Sequence, residues 1–120
     1  MADYSDKQIQ QVWNKGLKVD GMDPADWRKD FCDAWINRDQ YGEHSDYGWS
    51  VDHVFPQKKG GSDDLINLRP MHMDNNSSKS DDYPSYSCAL TSDGNKNVPT
   101  SKTKTVNDDL QKKLKELGFE

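Results

Sequence analysis

Asp52 and His53 stand side by side, and two amide residues, Asn67 and Asn76, follow at set intervals. A carboxylate and an amide carbonyl are hard oxygen donors of the kind Mg²⁺ prefers. That ion keeps several of its waters, so two protein oxygens are enough to hold it. Imidazole is the side chain whose charge changes near neutral pH. Taken singly, each residue has a plainer reading: Asp52 as a turn cap, His53 as a half-buried and hydrogen-bonded histidine, Asn67 as a turn residue. Lys58, Lys59 and Lys79 add positive charge to the same segment, and the Lys58-Lys59 pair fits a solvated loop face or a phosphate contact equally well. The Asp63-Asp64 pair invites a second metal, but its place after Gly60-Gly61 suits a turn cap better.

Order and spacing change the weighing. In YGWSVDHVFPQKKGGSDDLINLRPMHMDNNSSKSD, thirteen residues separate His53 from Asn67 and eight separate Asn67 from Asn76. Gly60-Gly61 breaks the intervening loop, Leu68 follows the first Asn, and Lys79 stands three positions after the second. This ordered set resembles the core of the HNH endonucleases over residues 41–84. The resemblance implies a ββα-metal fold and hydrolysis of DNA with one divalent cation, Mg²⁺ before Mn²⁺. It makes Asp52 and Asn76 the metal ligands and His53 the general base that takes a proton from water. Asn67 is then a supporting residue that ties down the loop after the first strand, and Lys79 a point charge for phosphate, with Lys58 and Lys59 beside it. Asn75 competes with Asn76 as ligand, since one residue turns a helix by about 100°; the lysine spacing favours Asn76.

Many members of that family hold a structural zinc with paired cysteines. Here His72 and Asn75 occupy the positions of the second pair and no pair precedes Asp52, so no structural zinc is expected. His72 is then packed or near substrate, and His44 a loop residue.

The elements that must position these groups are read from periodicity. Ser5 and Gln8 have capping-box spacing for a helix over Asp6–Lys15, with Ile9, Val12 and Trp13 on one face. Asp23-Pro24 predicts a second helix, with Trp27, Phe31, Ala34 and Trp35 as its stripe, fading near Tyr41-Gly42. Alternation predicts a strand from Trp49, ended by Pro56, and a second over Asn67 to Met71. A helix from Asp74 or Asn75 to about Asp81 follows. Residues 85–105, rich in Ser, Thr, Asn and Lys, read as a polar loop. Val106 to Leu117 predicts a last helix capped by Thr105 and docked on the domain. The expected architecture is α+β in one domain of 120 residues. It has a helical part (1–40), the core (41–84), the loop (85–105) and a C-terminal helix (106–118).

Charge and composition narrow the partners. The net charge is -5, yet residues 53–80 carry four Lys/Arg against three Asp/Glu, while residues 1–52 carry six against eleven. Weak local positivity permits phosphate contact without strong non-specific DNA binding. An acidic total also suits a second reading, a catalytically weak or inactive module on the same scaffold that acts through a protein partner. A third, a toxin-like nuclease with an immunity protein, shares the site. Cys32 and Cys88 lack CxxC context, so reduced thiols are expected. With no signal-like start and no apolar run near the ~20 residues that span a bilayer, a cytoplasmic protein is expected, with no membrane partner.

Overall fold

The computed structural model describes residues 4–119; residues 1–3 and 120 of the expected domain lie outside them. The fold is α+β. Its elements in order are α1 (Asp6–Trp13), β1 (Trp27–Lys29), β2 (Trp35–Asn37), β3 (Trp49–His53), β4 (Leu68–His72) and α2 (Met73–Lys79). They continue as β5 (Ser85–Ser87), β6 (Leu90–Asp93), β7 (Lys96–Pro99), β8 (Thr103–Thr105) and α3 (Asp108–Glu116). The strands form four antiparallel pairs, β1-β2, β3-β4, β5-β8 and β6-β7.

The β3-β4 hairpin lies between two apolar clusters. Trp49 and Leu68 belong to one, with Val12 and Trp13 of α1 and Ile36 of β2. Met71 belongs to the other, with Val54, Phe55, Tyr86, Val106 and Leu114. Trp13 and Trp49 pack at 5.2 Å between ring centroids, and Phe55 stacks on Phe119 at 5.5 Å. Buried rings of this size supply much of the stabilisation available to so polar a chain. At the N-terminus the capping box is closed: Ser5 Oγ accepts from Gln8 N and Gln8 Oε1 accepts from Ser5 N. The C-terminal helix α3 docks through Leu114, which is fully buried. Its cap is Asn107, which accepts from Leu110 N at 2.8 Å; Thr105 belongs to β8.

Three further expectations are corrected. Residues 23–41 form no α-helix but the β1-β2 hairpin, with Arg28 opposite Ile36. The reason is Asp30. Its Oδ1 accepts from Cys32 N and Ala34 N, which folds the chain into a turn, with Asp33 at φ 66. Its Oδ2 accepts from His72 N and Asn75 Nδ2, over 40 residues away, so tertiary contacts override the helical stripe. Burial pushes the Asp30 carboxyl above its ordinary pKa, and the four hydrogen bonds pull against that rise.

The segment 85–105 is not a loop. Tyr86 is buried on β5, and Gly94-Asn95 makes a two-residue hairpin between Asp93 and Lys96, with Gly94 at φ 63. Finally, Cys32 and Cys88 form a disulfide rather than two thiols, with Cα atoms 5.9 Å apart. It joins the β1-β2 turn to the residue after β5 across 56 positions of sequence.

A cross-link over that span removes about 4 kcal/mol of chain entropy from the unfolded state. The variant C32A/C88A should therefore lose on the order of 2–4 kcal/mol in urea unfolding. An unchanged midpoint would mean that the bridge does not form in solution.

Candidate active site

Strand β3 ends where the chemistry is expected. Asp52 pairs across the hairpin with Arg69, and His53 with Leu68. Neighbours on a strand face opposite ways, and Asp52 is buried while His53 keeps 14% of its side chain exposed. Asp52 Oδ2 accepts from Arg69 Nε at 3.2 Å, and Oδ1 lies 3.2 Å from Lys79 Nζ. The Arg69 guanidinium sits between the rings of Phe31 (4.9 Å) and Tyr86 (5.3 Å). Its Nη2 is buried without a hydrogen-bond partner among the described residues.

Lys79 is fully buried at the last turn of α2 and also donates to the carbonyls of His53 (3.0 Å) and Val54 (3.2 Å). Its expected role as a phosphate contact is therefore corrected. The ammonium is enclosed by protein acceptors and fastens α2 to the end of β3.

Asn67 is fully buried and spans the loop after β3. Its Nδ2 donates to Phe55 O (3.1 Å) and Ser62 O (2.9 Å), and its Oδ1 accepts from Phe55 N (2.8 Å). The loop leaves no room for side chains at its tightest point: a Cβ on Gly61 would meet Phe55 O at 1.8 Å. Gly60, at φ +104, takes a conformation that other residues adopt only with strain.

On α2 the two asparagines face different surroundings. Asn75 is buried; its Nδ2 donates to Asp30 Oδ2 and Leu90 O, and its Oδ1 accepts from Ala89 N and Leu90 N. Asn76 Nδ2 donates to Ser50 Oγ (2.7 Å) and Val51 O (3.3 Å), which leaves its carbonyl oxygen as the available donor to an ion. Asn76, Asp52 and His53 line one cleft of about 300 Å³, with Lys58, Ser80 and Asp81 at its side. Lys58 is 82% exposed and lies 3.6 Å from Asp81; Lys59, also exposed, lines a different hollow beside Tyr83 and Phe119. The structure thus brings Asp52, His53, Asn76 and Lys58 to one cleft, places Lys59 at another hollow, and buries Lys79 beneath the cleft against Asp52 and the His53 carbonyl.

His72 is buried, with Nδ1 accepting from Asp74 N and Nε2 bonded to Asp46 O at 2.8 Å, so both ring nitrogens are used within the protein. His44 is exposed. Asp63, expected to cap a turn, instead has Oδ1 2.7 Å from His53 Nε2, and Tyr4 OH donates to the same oxygen at 3.0 Å. Those two bonds, the one to His53 first, hold the Asp63 carboxyl below its usual pKa. Burial, then the bond to Asp63, pushes the Tyr4 phenol upward. No spacing rule links residues 4, 53 and 63. The one local signal was an acidic residue shortly after a Gly-Gly break.

The donors suit a hard divalent ion in type and are few in number. No group of three or more His, Cys, Asp or Glu is gathered around one point among the described residues. One carboxylate and one amide oxygen meet the modest demand of an ion that keeps its waters. The opposing effect is charge. Asp52 already faces two cations, so an incoming ion must share it with Arg69 and Lys79 or displace one of them. No protein-family model, no curated protein and no solved structure matches this chain.

Removing one partner from a buried ion cluster leaves charge and acceptors unpaired, at a cost of roughly 3–5 kcal/mol. Lys79→Met should lower the stability to urea by about that amount. An unchanged unfolding midpoint would show that the ammonium is not enclosed as described.

Proposed function

We propose that the chain is a divalent-metal-dependent endonuclease that hydrolyses DNA phosphodiester bonds, with His53 as general base and Asp52 and Asn76 as the ligands of one Mg²⁺ or Mn²⁺. The observation that carries this reading is that a strand-strand-helix unit delivers these three side chains to one cleft. They are also the residues marked out by the HNH-like spacing.

Hydrolysis needs an activated water, relief of charge on the phosphoryl oxygens and stabilisation of the departing oxygen. A bound Mg²⁺ would supply the last two. His53 accepts the water proton as the new P–O bond forms, the bond to the 3′-oxygen breaks, and that oxygen leaves as an alkoxide that takes a proton from solvent water to become the hydroxyl. Asn76 is held by its Nδ2 bonds so that its carbonyl oxygen can serve as ligand. Asn67 acts at one remove by fixing the loop that faces His53. Lys58 at the rim offers a mobile charge to phosphate, and Lys59 a weaker one at a distance.

A second reading, a catalytically weak module acting on a protein partner, is favoured by the double pairing of Asp52. Its carboxylate charge is already neutralised, which weakens its pull on a cation. The disulfide bears on setting in either case: such bonds persist in oxidising compartments, which removes the ground for a cytoplasmic location. An exported nuclease held in check by an immunity protein fits it better. Among the described residues no helix is long and apolar enough to cross a membrane.

Plasmid DNA incubated with the protein and Mg²⁺ or Mn²⁺ should be nicked, and chelator should abolish the reaction. His53→Ala should lose on the order of 10²–10⁴-fold in rate, the usual contribution of a general base. Undiminished cleavage by His53→Ala would remove His53 from its role. A wild-type chain that neither cuts DNA nor binds either ion by calorimetry would favour the binding module.

A further inference from the structure

Among the described residues the His53 ring makes its hydrogen bonds through one nitrogen. Asp63 Oδ1 stands 2.7 Å from Nε2, and the Tyr4 hydroxyl lies 3.3 Å from the same atom. Tyr4 has a single O–H proton, and it is directed to Asp63 Oδ1. An ionised carboxylate can only accept. The proton in the 2.7 Å contact must then belong to Nε2, which leaves the lone pair of a neutral imidazole on Nδ1. Nδ1 makes no hydrogen bond to another described residue.

The seat of Asp63 is itself built. Asn67 Nδ2 holds the carbonyl of Ser62, the preceding residue, and Tyr4 reaches over from the segment before α1. Two distant parts of the chain, at Tyr4 and His53, therefore meet at one oxygen of Asp63, whose own backbone Asn67 holds in place. Yet Asp63 is 51% exposed, and pairs that exposed contribute little to stability. An arrangement so specific and so weakly stabilising is better explained by what it does to the imidazole.

We infer that Asp63, seated by Asn67 and Tyr4, is a positioning residue that fixes His53 as the Nε2–H tautomer and so presents Nδ1 as the base. The base role rests on the nuclease reading; the tautomer does not. In hydrolysis Nδ1 takes the proton from water, the ring becomes imidazolium, and Asp63 stabilises the new charge through Nε2–H.

The test joins imidazole ¹⁵N spectra of the full chain with cleavage kinetics on plasmid DNA. The three histidines are assigned by comparison with His53→Ala. At a pH where His53 is neutral, the wild type should show Nε2–H. Asp63→Asn, whose amide can donate as well as accept, should raise the Nδ1–H fraction. It should lower kcat about 10- to 100-fold, the range found for outer partners of a site, with KM and the unfolding midpoint unchanged. Tyr4→Phe should give a smaller loss in kcat. The proposal is overturned if the wild type carries Nδ1–H, or if Asp63→Asn leaves tautomer and kcat alone. It is also overturned if the loss tracks a fall in stability. A chain that cuts no DNA but whose tautomer shifts in Asp63→Asn supports the positioning role and overturns only the nuclease reading.

Discussion

A carboxylate removed from water must be met by charge or by several hydrogen bonds, and Asp52 is met by both Arg69 and Lys79. The cluster also ties its partners together. Arg69 comes from β4, Lys79 from the end of α2, Phe31 from the β1-β2 turn and Tyr86 from β5. Lys79 gathers the carbonyls at the end of β3 as well. The ammonium and its three oxygens thus hold α2 against the hairpin, together with the bonds of Asn76 to Ser50 and Val51. Everything in the cleft depends on that placement, because Asn76 lies one turn before Lys79 on the same helix.

The same cluster decides what the cleft can hold. Two cations against one carboxylate leave a net positive charge beneath it, which favours an anionic substrate such as a phosphodiester over a neutral one. It also opposes a divalent cation, whose attraction to Asp52 is reduced by both neighbours. A working site therefore requires Arg69 or Lys79 to yield part of its hold on Asp52 when the ion and the phosphate arrive together. Among the described residues the buried Nη2 of Arg69 has no hydrogen-bond partner, whereas the Lys79 ammonium faces Asp52 Oδ1 and two carbonyl oxygens.

Local signals in the sequence were sound where the determinants were local. Ser5 and Gln8 close the capping box they imply, Trp49 to His53 forms a strand, and a helix follows the second strand. The reading of residues 23–41 failed for a physical reason. Trp27, Phe31, Ala34 and Trp35 satisfy a helical period, but Asp30 is worth more with four N–H donors than within a helix, and two of those donors come from β4 and α2. In 85–105, a polar composition hid the Gly94-Asn95 hairpin and the two strands that flank it. The disulfide joins residues with no spacing signature. At the site, residue types were legible and directions were not: Lys79 turns inward, Asn75 is consumed by the scaffold, and Asp63 turns toward His53.

Metal-dependent hydrolysis in this cleft requires that an ion share Asp52. The most direct measurement is the anomalous difference map of a crystal of the full chain soaked in Mn²⁺. A single peak between the Asp52 carboxylate and Asn76 Oδ1, with Arg69 or Lys79 drawn back from Asp52, is the expected result. A cleft without a peak and an Asp52 still gripped by both cations would contradict it, as would Mn²⁺ bound elsewhere alone.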